Sequence, residues 1–75
     1  MDNAKLDTLQ RAYRDAVEAW IVTIREEEAL ATPDHSMSAI DRWEAAGFRE
    51  VEARTRAKAA KGAYEQALRR RHFGF

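Results

Sequence analysis

This chain of 75 residues has 13 basic and 13 acidic side chains, one proline and no cysteine. Its length allows one small domain, and a domain of this size buries only about 60% of the surface that its unfolded chain exposes. Without cysteine, neither a disulfide framework nor a thiolate metal site can stabilise the fold. The apolar fraction of 45% and the charged fraction of 35% are typical of long helices and exclude a disordered chain or an all-β domain.

The charges are segregated along the chain, although the net charge is zero. Residues 1–50 hold 11 acidic and 6 basic side chains, whereas residues 51–75 hold 2 acidic and 7 basic ones. Such an asymmetry is typical either of a nucleic-acid-binding face or of two segments that attract each other. No signal peptide or transmembrane run is present in the sequence, so we expect a cytoplasmic protein with no membrane partner.

The first predicted element is a helix from about residue 3 to about residue 31. Its large apolar residues recur at spacings that follow one helical face. These residues are Leu6, Leu9, Tyr13, Val17, Trp20, Ile24 and Leu30. A turn over about residues 32–36 follows the helix, because the residue before Pro33 is disfavoured in the helical conformation.

The second predicted element is a longer helix, from about residue 36 to about residue 72, followed by a short tail at 73–75. Its main feature is a ladder of alanines seven residues apart. The ladder consists of Ala39, Ala46, Ala53, Ala60 and Ala67. Small residues at this period indicate a helix that packs closely along its length against another helix. Ser38 and Asp41 resemble a capping box near its start.

Two helices joined by one short turn predict an all-α antiparallel hairpin that forms a single domain over residues 1–75. If the hairpin folds about a turn centred near Asp34, so that the helices end level with each other, the numbers of opposing residues sum to about 68. Trp20 then lies opposite Gly47, and Leu68 extends beyond the first helix without a partner in its own chain. Phe73 and Phe75 do the same. We therefore expect a homodimer with coiled-coil packing, most simply a four-helix bundle.

Aromatic and charged residues inside the helices are predicted to have structural roles. Trp20 and Trp43 occupy positions that suit the core, as aromatic residues at helical spacing usually do. Glu50 falls between two ladder alanines, and we expect it to form an interhelical ion pair with Arg14 or Arg54 that sets the register.

The residues needed for catalysis or metal binding do not occur in a suitable pattern. His35 and His72 are the only histidines, and neither belongs to a Glu-x-x-His motif. A glycine-rich phosphate loop and a Ser-His-Asp arrangement are also missing from the sequence. We expect no enzyme activity, no metal and no cofactor.

Two functions are compatible with these features. We favour a non-enzymatic protein–protein interaction module that acts as a homodimer and binds an unidentified protein partner. Its candidate partner-binding residues are Phe48, which projects away from the ladder, and the C-terminal Phe73 and Phe75.

The alternative is a nucleic-acid-binding regulator that contacts phosphates through the basic half of the second helix. The candidate phosphate-binding residues are Arg54, Arg56, Lys58, Lys61, Arg69, Arg70 and Arg71. Cations near the end of a helix also favour its dipole without any ligand, and no helix-turn-helix or zinc-finger pattern accompanies them.

Overall fold

A computed structural model of the chain describes residues 3–73, which form two helices. Helix α1 spans Asn3–Leu30, and helix α2 spans Met37–Phe73 and packs against it. This arrangement confirms the predicted all-α helical hairpin, with each observed helix end within one residue of its prediction. Phe73 belongs to α2 and not to the tail, and the remaining tail residues, Gly74 and Phe75, lie outside the described residues.

The connection between the helices caps the start of α2 with a serine, although a different serine was expected. The backbone N–H of Ala39 donates to Ser36 Oγ at 3.2 Å, which makes Ser36 the N-cap. The N–H of Ser36 in turn donates to Asp34 Oδ1 at 2.9 Å. The capping box predicted at Ser38 is wrong, because Ser38 lies inside the helix and its Oγ accepts a hydrogen bond from Arg42.

The seam between the helices is built from small residues, as the ladder predicted. The buried alanines are Ala39, Ala46, Ala53, Ala57 and Ala67, while Ala60 is half-buried. Ala46 is the most enclosed, with 1% of its surface exposed. Leu6 is the only large apolar residue of the described chain that is buried. The helices therefore approach each other closely without enclosing a core of large side chains.

The register of the hairpin differs from the prediction by about six residues, or about 9 Å along the axis. The side chain of Arg71 donates a hydrogen bond to Asn3, and the Glu27 carboxylate lies 4.0 Å from the position of a Cβ on Gly47. Both pairs of residue numbers sum to 74, so the predicted sum of about 68 and the predicted pairing of Trp20 with Gly47 are wrong.

The path of the connection explains this difference. Ala31, Thr32, Asp34 and His35 of the connection line a cavity together with Ile40 and Trp43 of the first turns of α2, so the two helices do not end level with each other. The sum of 74 also places Leu68 level with Leu6. Leu68 is half-buried, and the prediction that it has no partner level with it in its own chain is therefore wrong.

Candidate protein-interaction surface

A groove runs along one face of the hairpin and is lined by both helices. It begins with a cavity of about 310 Å³ beside the connection and continues through one of about 410 Å³ and one of about 220 Å³. Trp43 lines the first two cavities, and Trp20 lines the last two. Because neighbouring cavities share a side chain, we treat them as one surface and call it the groove.

Large apolar side chains of the groove remain open to solvent. Trp43 is 44% exposed and Ile24 is 43% exposed, whereas Val17 and Trp20 are half-buried. The prediction that Trp43 belongs to the core is wrong. The register places Trp43 level with the end of α1, which is Leu30, so little of α1 is available to cover the indole.

Exposed apolar residues also occur beside and behind the groove. The remaining large ones are Ile21, Val22, Met37, Phe48 and Val51. Phe48 is 72% exposed and does not line any of the three cavities, so its projection away from the ladder is confirmed. Its contact with a protein partner stays a prediction. The side chains of Phe73 and Phe75 lie outside the described part of the structure.

Glu50 joins the two helices in the middle of the groove. Its carboxylate accepts a hydrogen bond from Trp20 Nε1 at 2.6 Å and one from Arg54 Nε at 2.9 Å, and it makes a second contact with the Arg54 guanidinium. The predicted pairing with Arg54 is confirmed, but it lies within α2 and does not join the helices as expected, and Arg14 pairs instead with the neighbouring Asp15. The contact between helices is the indole bond from Trp20, which we did not predict. A tryptophan and a glutamate on facing helical positions were its only sequence signal.

The electrostatic state of Glu50 suits a structural role. The Arg54 guanidinium, followed by the indole N–H of Trp20, lowers the pKa of the Glu50 carboxyl, and this outweighs the opposite effect of burial. The carboxylate raises the pKa of Arg54 in return. Although Glu50 is only 9% exposed, its two neighbours keep the carboxylate ionised at neutral pH. A carboxylate in this state holds no proton to give as a general acid.

Charge changes sign along the length of the groove. Glu27 and Glu28 line it towards the connection, whereas Lys58 and Lys61 line it just beyond the middle of α2, on the side of the free ends of the helices. The whole hairpin shows the same division of charge when it is cut across the middle of α2. Helix α1 is cut at the level that the observed register places opposite this point. Residues 19–55, the turn half, carry 8 acidic and 4 basic side chains, whereas residues 3–18 and 56–73, the open half, carry 4 acidic and 9 basic ones.

The candidate phosphate-binding residues do not share one face. Lys58 and Lys61 line the groove together with Arg54, which is engaged by Glu50. Arg56 projects about 200° around the helix from Arg54. Arg71 donates to Asn3, so the hairpin engages part of the predicted set in its own contacts.

No group of three His, Asp or Glu side chains in residues 3–73 is arranged to hold a metal ion. Neither helix, over the part of the chain that the structure describes, contains a stretch long and apolar enough to cross a membrane.

No protein-family model, curated protein or solved structure matches this chain.

Proposed function

We propose that this chain is a non-enzymatic helical interaction module that acts as a homodimer, with the groove of each hairpin covered by the second copy. The observation that carries the proposal is the distribution of side-chain size. The hairpin buries alanines between its helices and leaves Ile24 and Trp43 open to solvent. Apolar surface is stabilised when it is removed from water, so these residues favour a partner.

The surface area of the hairpin supports a partner of similar size. A compact monomer of 8.6 kDa has an accessible surface of about 4,700 Å², whereas this chain has 5731 Å². The excess of about 1,000 Å² is close to the roughly 800 Å² that each protein contributes to a standard interface. The radius of gyration of 17.1 Å also exceeds the value of about 11 Å for a compact domain of this length.

A polar substitution in the groove tests the homodimer. We expect the natural chain to sediment at twice its mass of 8.6 kDa at micromolar concentration, and Ile24→Asn to sediment as a monomer. Val22→Asn is the matched control, because Val22 is an exposed β-branched residue of the same helix that does not line the groove. A monomeric natural chain, or equal effects of the two substitutions, contradicts the proposal.

Nucleic-acid binding is the alternative, and the positive excess of the open half favours it. Arg69 and Arg70 are exposed there and lie near the free end of α2. A salt titration of binding to duplex and single-stranded nucleic acid separates the two functions. Micromolar affinity that falls steeply with salt, and that Arg69→Gln with Arg70→Gln weakens, supports the alternative. Absence of binding at low salt removes it.

A further inference from the structure

The charge distribution points to the orientation of the second copy: we propose that two hairpins pack groove to groove and antiparallel, with the turn half of each on the open half of the other. This inference rests on the proposed homodimer and adds its geometry. The dimer is then a four-helix bundle whose two-fold axis lies across the middle of the hairpins.

The overall charge favours this orientation. The turn half has four more acidic than basic side chains, and the described part of the open half has five more basic than acidic ones. An antiparallel pair places opposite charges together at both ends. A parallel pair places like charges together at both ends, and like charges across an interface are strongly unfavourable.

Individual side chains of the groove meet in the same arrangement. The register places Glu28 level with Ala46, which is nine residues before Thr55, the middle of α2. Lys61 lies six residues beyond Thr55. Turning one hairpin end for end about Thr55 therefore brings Glu28 of one copy to within three residues, or about 4.5 Å along the axis, of Lys61 of the other copy. Both line the groove, so they lie on the face that the second copy covers.

The apolar residues fit this geometry as well. The register places Trp20 level with Arg54, one residue from the middle of α2, so the two copies of Trp20 lie near the two-fold axis. The interface then has an aromatic centre, and the polar side chains of the groove lie around it. Many protein interfaces likewise have a less polar core and a charged rim.

A distance measurement distinguishes the two orientations directly. The chain has no cysteine, so Met37→Cys, at an exposed position outside the groove lining, gives a single site for a spin label. Met37 is 18 residues from the middle of α2, so the antiparallel dimer separates the two labels by about 54 Å. A parallel dimer brings them within about 25 Å, the width of two helix layers.

The outcomes separate this inference from the proposed function. A dimer whose two spin labels lie about 54 Å apart supports both the homodimer and its antiparallel orientation. A dimer with the short distance overturns the antiparallel orientation and leaves the homodimer intact. A chain that stays monomeric overturns both, and a mass that grows beyond two chains with concentration indicates head-to-tail association and overturns the closed dimer.

Charge reversal tests the paired side chains. We expect Glu28→Lys and Lys61→Glu each to weaken dimerisation by about tenfold, because each change replaces attraction with repulsion at two symmetric places. Mixing the two variants restores the affinity, since both ends of the mixed dimer then carry opposite charges. Circular dichroism on each variant verifies that the helices are retained.

Matched controls separate the groove from net charge. Glu26→Lys and Arg56→Glu carry the same charge changes at exposed positions outside the groove lining, and we expect changes of less than about twofold. If the controls weaken the dimer as much as the groove variants do, or if mixing restores nothing, the proposed pairing is wrong.

Discussion

The seam between the helices and the groove beside it use opposite kinds of side chain. The seam encloses alanines such as Ala46 and Ala57, and it contains few groups larger than a methyl. The groove leaves Ile24 and Trp43 nearly half exposed. A globular core places its large apolar residues inside, so this hairpin has the reverse arrangement. The seam fixes how the two helices meet, while most of the apolar area that can stabilise an assembly lies outside.

The largest expected effect comes from enlarging a seam residue. Ala46→Leu forces a branched side chain into a position that is 1% exposed, and we expect the free energy of unfolding to fall by about 3 kcal/mol. Urea denaturation at fixed protein concentration measures the change. Ala45→Leu, at the exposed neighbouring position, is the control and should change stability by less than about 0.5 kcal/mol. Similar costs at both positions contradict the close packing of the seam.

The hydrogen bond from Trp20 to Glu50, which joins the two helices, gives a smaller effect. Trp20→Phe keeps an aromatic ring and removes the N–H that donates to Glu50, so we expect a loss of about 1 kcal/mol in the free energy of unfolding. The nearby aromatic pair of Tyr13 and Tyr64 offers a comparison, because its ring centroids lie 6.4 Å apart across the two helices. Tyr13→Phe should change stability less than Trp20→Phe, and the opposite order contradicts the assigned role of the indole.

A glycine of α2 provides a gain of stability away from the seam. Apart from its chain neighbours and the backbone of its own helix, no atom lies within 4 Å of a Cβ added to Gly62, so Gly62→Ala should raise the free energy of unfolding by about 0.5–1 kcal/mol through helix propensity alone. Thermal unfolding at fixed concentration measures it. A loss of stability indicates that another surface approaches this glycine more closely than the hairpin itself does.

The smallest expected effect is a change in the pH dependence of stability. Because the pKa of Glu50 is lowered in the folded chain, its contribution is present above the ordinary value of 4.5 and is lost as the pH falls through the lowered pKa. The stability difference between the natural chain and Glu50→Gln should therefore be constant near neutral pH and shrink below about pH 4. Denaturation at several pH values checks this, and a difference that grows on acidification contradicts the ion pair with Arg54.

The sequence was sufficient to predict the seam but not the groove. The period of seven in the alanines identified α2 and its packing edge, because that pattern depends only on local helix geometry. The register depends on the path of residues 31–36, which has no periodic signal. An error of about six residues in it changed the predicted surroundings of Trp43 and Leu68. The bond from Trp20 to Glu50 was missed for a different reason: the predicted register already placed Trp20 within three residues of Glu50, but residue spacing does not give the direction of the indole N–H.

The central claim is that a second copy covers the groove, and the indole of Trp43 reports on it most directly. In the hairpin alone this indole is 44% exposed, whereas the indole N–H of Trp20 is bonded to Glu50. The two indole signals are compared by nuclear magnetic resonance of the natural chain in the presence of a soluble paramagnetic probe. The spectra are recorded over a range of protein concentrations. Our account predicts that the Trp43 signal is broadened in dilute protein and becomes protected as the dimer forms. Broadening of Trp43 that is the same at every concentration contradicts it.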